Sequence, residues 1–323
     1  MAKIPTASLT ECEKAMAVVG LGTCAYPRPD SGTAKAAIVE AIRAGYRHFD
    51  TAFAYGSEKP LGEAIAEAVN LGLVRREDLF ITTKLWASFA HPDQVVPACK
   101  MSLQNLGLEN VDMYLIHLPV RLKEMVESFP VSEEKIEALD IKGVWEGMEE
   151  CKRIGLTKGI GVSNFSCKML QHLLSVAKIP PAINQVEMNP IWQQEKLREF
   201  CKAEGIHVTA YSPLGANNTK WGDNRVMGCD VLAQIAKAKG KSVAQVSLRW
   251  IYEQGVSLVT KSFNKERMRE NLQIFDWCLS EEDHKIISQI PQRKASSLAA
   301  IFGPHPLVLQ LDADLSYDES MDA

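Results

Sequence analysis

What this chain lacks narrows it before any motif is read. Its 323 residues carry no strong charge bias: 36 Lys and Arg against 40 Asp and Glu give a formal net charge of −4. That balance offers no electrostatic footprint for nucleic acid or an anionic membrane surface. No apolar run approaches the ~20 residues that span a bilayer. Met1–Glu13 holds no apolar stretch of the kind a secretory signal needs, so none is expected. The eight cysteines, Cys12, Cys24, Cys99, Cys151, Cys167, Cys201, Cys229 and Cys278, form no Cys-x-x-Cys pair. This argues against a disulfide framework or a zinc site and for reduced thiols in a cytoplasmic protein. No linker rich in Gly, Ser and Pro divides the chain, and no low-complexity tract interrupts it. What remains is ordinary globular composition, 46% hydrophobic and 24% charged. The length suits two average domains, but α/β barrels run this long as one, so a single domain over 1–323 is expected.

What is present is an alternation. Short apolar runs fall at Ala17–Leu21, Tyr46–Phe49, Leu79–Thr83, Val111–Ile116, Gly159–Val162, Ala182–Val186, His207–Ala210 and Ser257–Val259. Each is flanked by turn or polar residues, as buried parallel strands are. Helical spacing of apolar residues marks Ala34–Ala44, Glu58–Asn70, Gln94–Leu106, Lys142–Arg153, Cys167–Val176, Glu195–Glu204 and Ser242–Gln254. Eight strands with interleaved helices predict a (β/α)8 TIM barrel. Three stretches break the rhythm: Pro119–Asp140, Leu214–Asp230 and Arg293–Ala323. Loops this long are functional or disordered. The first two are expected to wall a pocket at the C-terminal rim. The last is expected as a loop and tail, frayed over Asp312–Ala323.

Four residues stand just past three of these runs: Asp50, Tyr55, Lys84 and His117. In a β/α-barrel, strand C-termini carry the chemistry. A phenol with a pKa near 10 is a weak acid at neutral pH. An adjacent ammonium is expected to lower that pKa, with a carboxylate holding the ammonium in place. The result would be a general acid for a carbonyl oxygen. Each residue alone has a plainer explanation: Asp50 as a helix cap, Tyr55 as a rim aromatic, Lys84 as a solvated strand end, His117 as a core histidine. Their coincidence at one end of three strands favours the catalytic reading. No His-x-His follows the first strands and no G-x-S-x-G elbow is present, so neither a metal hydrolase nor a serine hydrolase is supported. Ser163 in Gly161-Val162-Ser163-Asn164 has no His–Asp pattern to make it a nucleophile. Gly20-Leu21-Gly22-Thr23-Cys24-Ala25 matches a dinucleotide fingerprint only formally, because Pro27 and Pro29 prevent the helix that motif must open. Its glycines are expected to serve a sharp turn and to let a cofactor approach the backbone.

Longer stretches resemble the aldo-keto reductase superfamily over nearly the whole chain. Gly45–Ala52 with Tyr55 resembles its first signature, Leu106–Pro119 its second, and Lys261-Ser262 with Arg267, Glu270 and Asn271 its third. Gly159–Phe165 resembles its fifth-strand stretch. Met148–Cys151, Ile183–Met188, Gly240–Ser247 and Phe275-Asp276-Trp277 are similar to the plant branch of specialised metabolism, which includes chalcone (polyketide), codeinone and methylecgonone reductases and deoxymugineic acid synthases.

The resemblance implies an NADPH-dependent reductase, monomeric and free of metal and flavin. It implies Tyr55 as general acid, Lys84 as its neighbour, Asp50 as the partner of Lys84, and His117 as the group orienting the substrate carbonyl. It implies Ser163, Asn164 and Gln185 at the nicotinamide carboxamide, and Tyr211 stacked on the ring. Ser212 and Leu214 would strap the pyrophosphate, while Gly22, Thr23 and Asp50 line the cofactor. Lys261, Ser262 and Arg267 would take the 2′-phosphate, with Glu270 and Asn271 at the adenine. An ammonium and a guanidinium together suit a dianionic phosphate. The substrate pocket is expected to include Tyr26, Trp86, Phe89, Leu118 and Trp221. Leu118 stands where the family usually has Trp, which implies a roomier site. Thr260 replaces a Pro, and the N-terminal hairpin is irregular at Glu11-Cys12-Glu13-Lys14. The expected reaction is reduction of a carbonyl on a plant specialised metabolite of alkaloid or polyketide type. The rivals are a broad detoxifying aldehyde or ketone reductase and a cofactor-binding regulatory barrel without turnover.

Overall fold

The computed structural model describes residues 4–125, 131–216, 219, 222–295 and 297–320. In chain order, an antiparallel hairpin of β1 (Thr6–Leu9) and β2 (Cys12–Ala17) comes first. Then β3 (Val19–Gly22) leads to α1 (Ser31–Ala44), β4 (His48–Asp50) to α2 (Glu58–Asn70), and β5 (Phe80–Leu85) to α3 (Val95–Leu106). β6 (Val111–Ile116) continues through a hairpin of β7 (Val120–Leu122) and β8 (Ile136–Ala138) to α4 (Ile141–Arg153). β9 (Thr157–Ser163) leads to α5 (Cys167–Val176), and β10 (Ile183–Glu187) to α6 (Glu195–Ala203). β11 (His207–Tyr211) leads to α7 (Asp230–Lys239) and α8 (Val243–Glu253), and β12 (Ser257–Thr260) to α9 (Lys265–Asn271). The chain ends in α10 (Glu281–Ser288), α11 (Leu298–Phe302) and α12 (Pro306–Ser320).

β3, β4, β5, β6, β9, β10, β11 and β12 close into a parallel barrel in that order, with β12 beside β3. This is the (β/α)8 architecture that the alternation predicts. Every residue of β5 and β6 is buried, as strands covered on both faces must be. The entry to β4 shows the local logic. Asp30 accepts from the Thr33 amide to start α1, and Gly45 ends it with φ 105°, a left-handed turn that favours glycine.

The irregular N-terminal hairpin forms and plugs the barrel floor. Leu9, Cys12 and Met16 pack against Phe80, Met113 and Leu115. Its irregularity is a register shift between Ala7 and Leu9, beside Glu11 at φ 55°.

Three sequence expectations need correction. Pro119–Asp140 contains the β7–β8 hairpin, α7 lies in a stretch with no predicted element, and Arg293–Ala323 is helical over α11 and α12. The supposed frayed end begins at Asp312, whose carboxylate accepts from Lys294 Nζ (3.0 Å), Ser297 Oγ (2.6 Å) and the Leu298 and Ala299 amides (2.9 and 3.0 Å). That carboxylate caps α11 from the next helix, and helical periodicity carries no signal for such a cap. The glycine reading also changes. A Cβ on Gly20 would lie 2.7 Å from the His48 ring, and neither Gly20 nor Gly22 has positive φ. Gly20 thus answers to packing rather than to a turn.

Candidate active site

The barrel delivers the four candidate residues to one point on its C-terminal rim. Asp50 ends β4, Lys84 lies in β5, His117 follows β6, and Tyr55 ends a short 3-10 turn, Phe53–Tyr55, after β4. Lys84 is 1% exposed and Asp50 3%. Lys84 Nζ donates to Asp50 Oδ1 (2.6 Å) and to the Thr51 carbonyl (2.9 Å). It lies 3.5 Å from the Tyr55 hydroxyl and 4.9 Å from the centre of its ring. The same hydroxyl is 3.3 Å from His117 Nε2, and the two rings meet edge to face at 5.3 Å. His117 Nδ1 is buried and has no hydrogen-bond partner among the described residues.

The electrostatics correct one expectation. Burial pushes the Tyr55 phenol well above its ordinary value, and the nearby Cys24 and Asp50 push the same way. Lys84 Nζ stands nearer to Asp50, at 2.6 Å, than to the phenol, at the outer limit of a hydrogen bond. Tyr55 is therefore a protonated donor at neutral pH. Burial, and then the Lys84 charge, push the His117 imidazole well below its usual range. It stays neutral.

A second network surrounds Asp50. Gln185 Nε2 donates to Asp50 Oδ2 (2.8 Å), and Ser163 Oγ donates to the Gln185 carbonyl (2.8 Å). Asn164, at φ 64°, donates from Nδ2 to the His117 carbonyl and to Ser163 Oγ, both at 3.0 Å. Its Oδ1 accepts from the Tyr211 hydroxyl at 2.7 Å. The candidate nicotinamide residues thus form one amide and hydroxyl lattice joined to the tetrad. Thr23 joins it from β3, donating to the Asp50 carbonyl (3.0 Å) and sharing a hydrogen bond with Ser57 (2.8 Å). A Cβ at Gly22 would meet nothing closer than 3.9 Å, so the rim above β3 is open.

Beyond β11 the chain turns sharply, with Ser212, Gly215 and Ala216 all at positive φ. Leu214 packs partly buried against the core. Lys261, Ser262 and Arg267 lie at the end of β12 and the start of α9. Among the described residues neither Lys261 nor Arg267 has a carboxylate within ion-pair distance, whereas the neighbouring Lys265 pairs with Glu40 at 2.7 Å. Two uncommitted cations beside a serine fit a phosphate. Asn271 is buried in the core near Tyr46, whose hydroxyl donates to the Met268 carbonyl at 3.1 Å. Glu270 offers its carbonyl to Gln245 Nε2 at 3.3 Å.

On the opposite side, the Trp86 ring meets His117 at 5.5 Å, and Phe89 packs edge-on to Phe53 at 5.1 Å. Leu118 is buried and Tyr26 is exposed on the rim. Trp221 lies outside the described residues. The sequence reading missed Phe302 of α11, fully buried and stacked on Trp86 at 6.4 Å. Its signal was available: the apolar group Leu298–Phe302 stands between Arg293-Lys294 and Gly303-Pro304 in the supposed tail.

None of the eight cysteines is in a disulfide. No helix among the described residues is long and apolar enough to cross a membrane.

The profile of the Aldo/keto reductase family matches residues 18–292. A D-galacturonate reductase from Fragaria ananassa is 63% identical over 98% of this chain and 100% of its own. An NAD(P)H-dependent 6′-deoxychalcone synthase from Glycine max is 57% identical over 89% of this chain and 91% of its own. Among solved structures, a Bombyx mori aldo-keto reductase in complex with NADP superposes with a TM-score of 0.84 at 36% identity, covering 93% of this chain and 97% of its own. Barrel, rim constellation and these likenesses agree that the chain belongs to the aldo/keto reductase family.

Proposed function

We propose that this protein reduces the carbonyl of a plant metabolite to an alcohol with NADPH, and that Tyr55 is the general acid. The observation that carries the reading is the Tyr55 hydroxyl held between a neutral imidazole at 3.3 Å and a buried ammonium at 3.5 Å. NADPH, when bound, supplies the hydride. Ser163, Asn164 and Gln185 hold the carboxamide, Tyr211 lies against the ring, and Gly22, Thr23, Ser212 and Leu214 line the path to Lys261, Ser262 and Arg267. Glu270 and Asn271 stand at the adenine.

The residues divide the work. His117 and Tyr55 both address the substrate oxygen. The neutral imidazole places that oxygen without competing for the proton, and Tyr55 delivers the proton as charge develops on it. Lys84 contributes positive potential beside the developing phenolate and keeps its own position through Asp50 and the Thr51 carbonyl. A phenol pushed up by burial is a weak acid at rest. Its partner is then the alkoxide forming in the reaction, a much stronger base than the ground-state carbonyl. We place Trp86, Phe89, Leu118 and Phe302 around the substrate, with Tyr26 at the entrance, and read the chain as a cytoplasmic monomer.

The substrate is a carbonyl compound of specialised metabolism, of alkaloid or polyketide type. A second reading, a sugar acid, is favoured by the 63% identity to a D-galacturonate reductase. The test is NADPH oxidation across a panel of alkaloid ketones, polyketide-type ketones, uronic acids and simple aldehydes. One class reduced far better than simple aldehydes is the expected result. Equal rates on every aldehyde would make it a detoxifying reductase. Tight NADPH binding with no turnover of any compound would overturn the enzymatic reading.

A further inference from the structure

A cleft on the rim is lined by Thr23, Ala25, Arg28, Tyr55, Ser57 and Phe263. Arg28 is its one arginine, and the position of its guanidinium is unusual for an exposed side chain. Nη2 donates to the Ala54 carbonyl at 2.6 Å. Nη1 lies 2.9 Å from where a Cβ on Gly56 would stand. The guanidinium is therefore laid across the backbone on both flanks of Tyr55, touching the residue before it and the residue after it. Gly56, at φ 66°, permits both the left-handed turn and this close approach. Among the described residues no carboxylate lies within ion-pair distance of Arg28, although arginines elsewhere on the surface, such as Arg75 and Arg153, pair with acids. Four of its five donors remain to be used, whereas the Thr23 and Ser57 hydroxyls in the same cleft are already engaged with the Asp50 carbonyl, Thr51 and each other. A guanidinium held in place by the backbone and without a carboxylate partner is a receptor for an oxyanion.

We propose that Arg28 is a specificity-determining residue that binds a carboxylate carried by the substrate, so that the preferred substrate is an aldehyde or ketone acid. This rests on the reading of Tyr55 as the group that meets the carbonyl. Arg28 and Tyr55 line the same cleft, so an anion held by Arg28 belongs to a molecule that also reaches Tyr55. On the reading above, Lys261 and Arg267 take the 2′-phosphate of the cofactor, which leaves Arg28 for a second anion.

The test compares the wild type with Arg28→Gln, which removes the charge yet keeps an amide to serve the Ala54 carbonyl, and with Arg28→Lys. The probes are D-galacturonate and its methyl ester, which differ only in the carboxylate. The ratio of kcat/KM for acid over ester should fall about tenfold or more in R28Q, and less in R28K, which keeps a point charge without the fork. Calorimetric binding of D-galacturonate to the NADP⁺-loaded protein, where no reduction occurs, should weaken by a similar factor in R28Q. NADPH affinity should stay within twofold. An unchanged ratio overturns the proposal. So does an equal loss for acid and ester together with weakened NADPH binding, which would assign Arg28 to a cofactor phosphate. If no carbonyl compound is reduced at all, the functional reading fails, while calorimetry still decides whether Arg28 binds the carboxylate.

Discussion

Two of the buried carboxylates, one near each end of the barrel, are treated differently. Asp112, at the start of β6 on the floor, accepts from Lys14 (3.0 Å), Arg76 (2.9 Å), Lys158 (2.8 Å) and the Ile81 amide (2.9 Å). Burial alone would raise its pKa, but Arg76, Lys158, Lys14 and that amide outweigh it and hold the carboxyl below its usual range. Asp50, at the end of β4 on the rim, has a single cation, Lys84, and an amide from Gln185. The floor saturates its acid with partners from the plug hairpin, a loop and two strands, and so ties the barrel shut. The rim leaves its ion pair lean, and Lys84 retains a direction toward Tyr55. A network built for stability spends its charges on itself, whereas one built for chemistry keeps a donor for a group that changes charge.

The largest expected effect removes the rim's proton donor alone. Tyr55→Phe keeps the ring and its packing on His117. Carbonyl reduction should fall by roughly 10²–10⁴-fold, the range of general acid catalysis. NADPH affinity and melting temperature should hold. A variant that kept a tenth or more of the wild-type single-turnover rate would show that Tyr55 is not the acid.

The floor should behave in the opposite way. Asp112→Asn leaves three cations around a neutral amide, and breaking a buried ion pair from one side costs about 3–5 kcal/mol. The cations are partly exposed to water, so a value near the lower end is expected in urea denaturation, with kcat unchanged below the transition. The pH dependence has a definite sign. A carboxyl held below its unfolded value stabilises the fold above that unfolded value, near pH 4, and loses the contribution as pH falls through the folded one. The variant should show a flatter acid limb of stability than the wild type. Loss of activity in the folded variant would dissolve the distinction between floor and rim.

The same contrast explains what was legible in the sequence. The eight strands were, because buried parallel strands are short apolar runs between polar turns. The residues at their ends were, because Asp50, Lys84 and His117 sit beside those runs in the chain. What depends on contacts between distant segments was not. The apolar group Leu298–Phe302 was visible, but not that Phe302 would stack on Trp86 beyond β5 or that Asp312 of α12 would cap α11. The β7–β8 hairpin pairs residues on either side of a long polar stretch. The direction of the Tyr55 shift was misread for the same reason: adjacency of Lys84 was visible, but not that Asp50 would sit nearer the ammonium than the phenol does.

A smaller effect is expected where the rim meets solvent. Arg267→Ala removes a cation with no carboxylate partner among the described residues and, on the proposed reading, a bidentate contact to the 2′-phosphate. A charged hydrogen bond contributes about 1.5–3 kcal/mol, so NADPH binding should weaken about tenfold or more. NADH, lacking that phosphate, should bind as before. Titration of protein fluorescence with each cofactor measures this, and an equal loss for both would remove Arg267 from the phosphate site.

The smallest effect is a ratio rather than a loss. Leu118 directly follows His117 and is buried at the rim, where a Trp would be far larger. If that difference shapes the substrate pocket, Leu118→Trp fills space that a bulky carbonyl compound needs and a small aldehyde does not. Overpacking penalties of roughly 1–3 kcal/mol set the scale. The quantity to compare is kcat/KM for a bulky ketone divided by that for a small aldehyde, in both proteins. The ratio should fall, carried by KM for the ketone, while Tyr55, His117 and Lys84 continue to serve the small substrate. A constant ratio would place residue 118 outside the substrate pocket. Parallel loss for both substrates would mean instead that the indole has displaced His117, and that position 118 supports the rim's geometry rather than its selectivity.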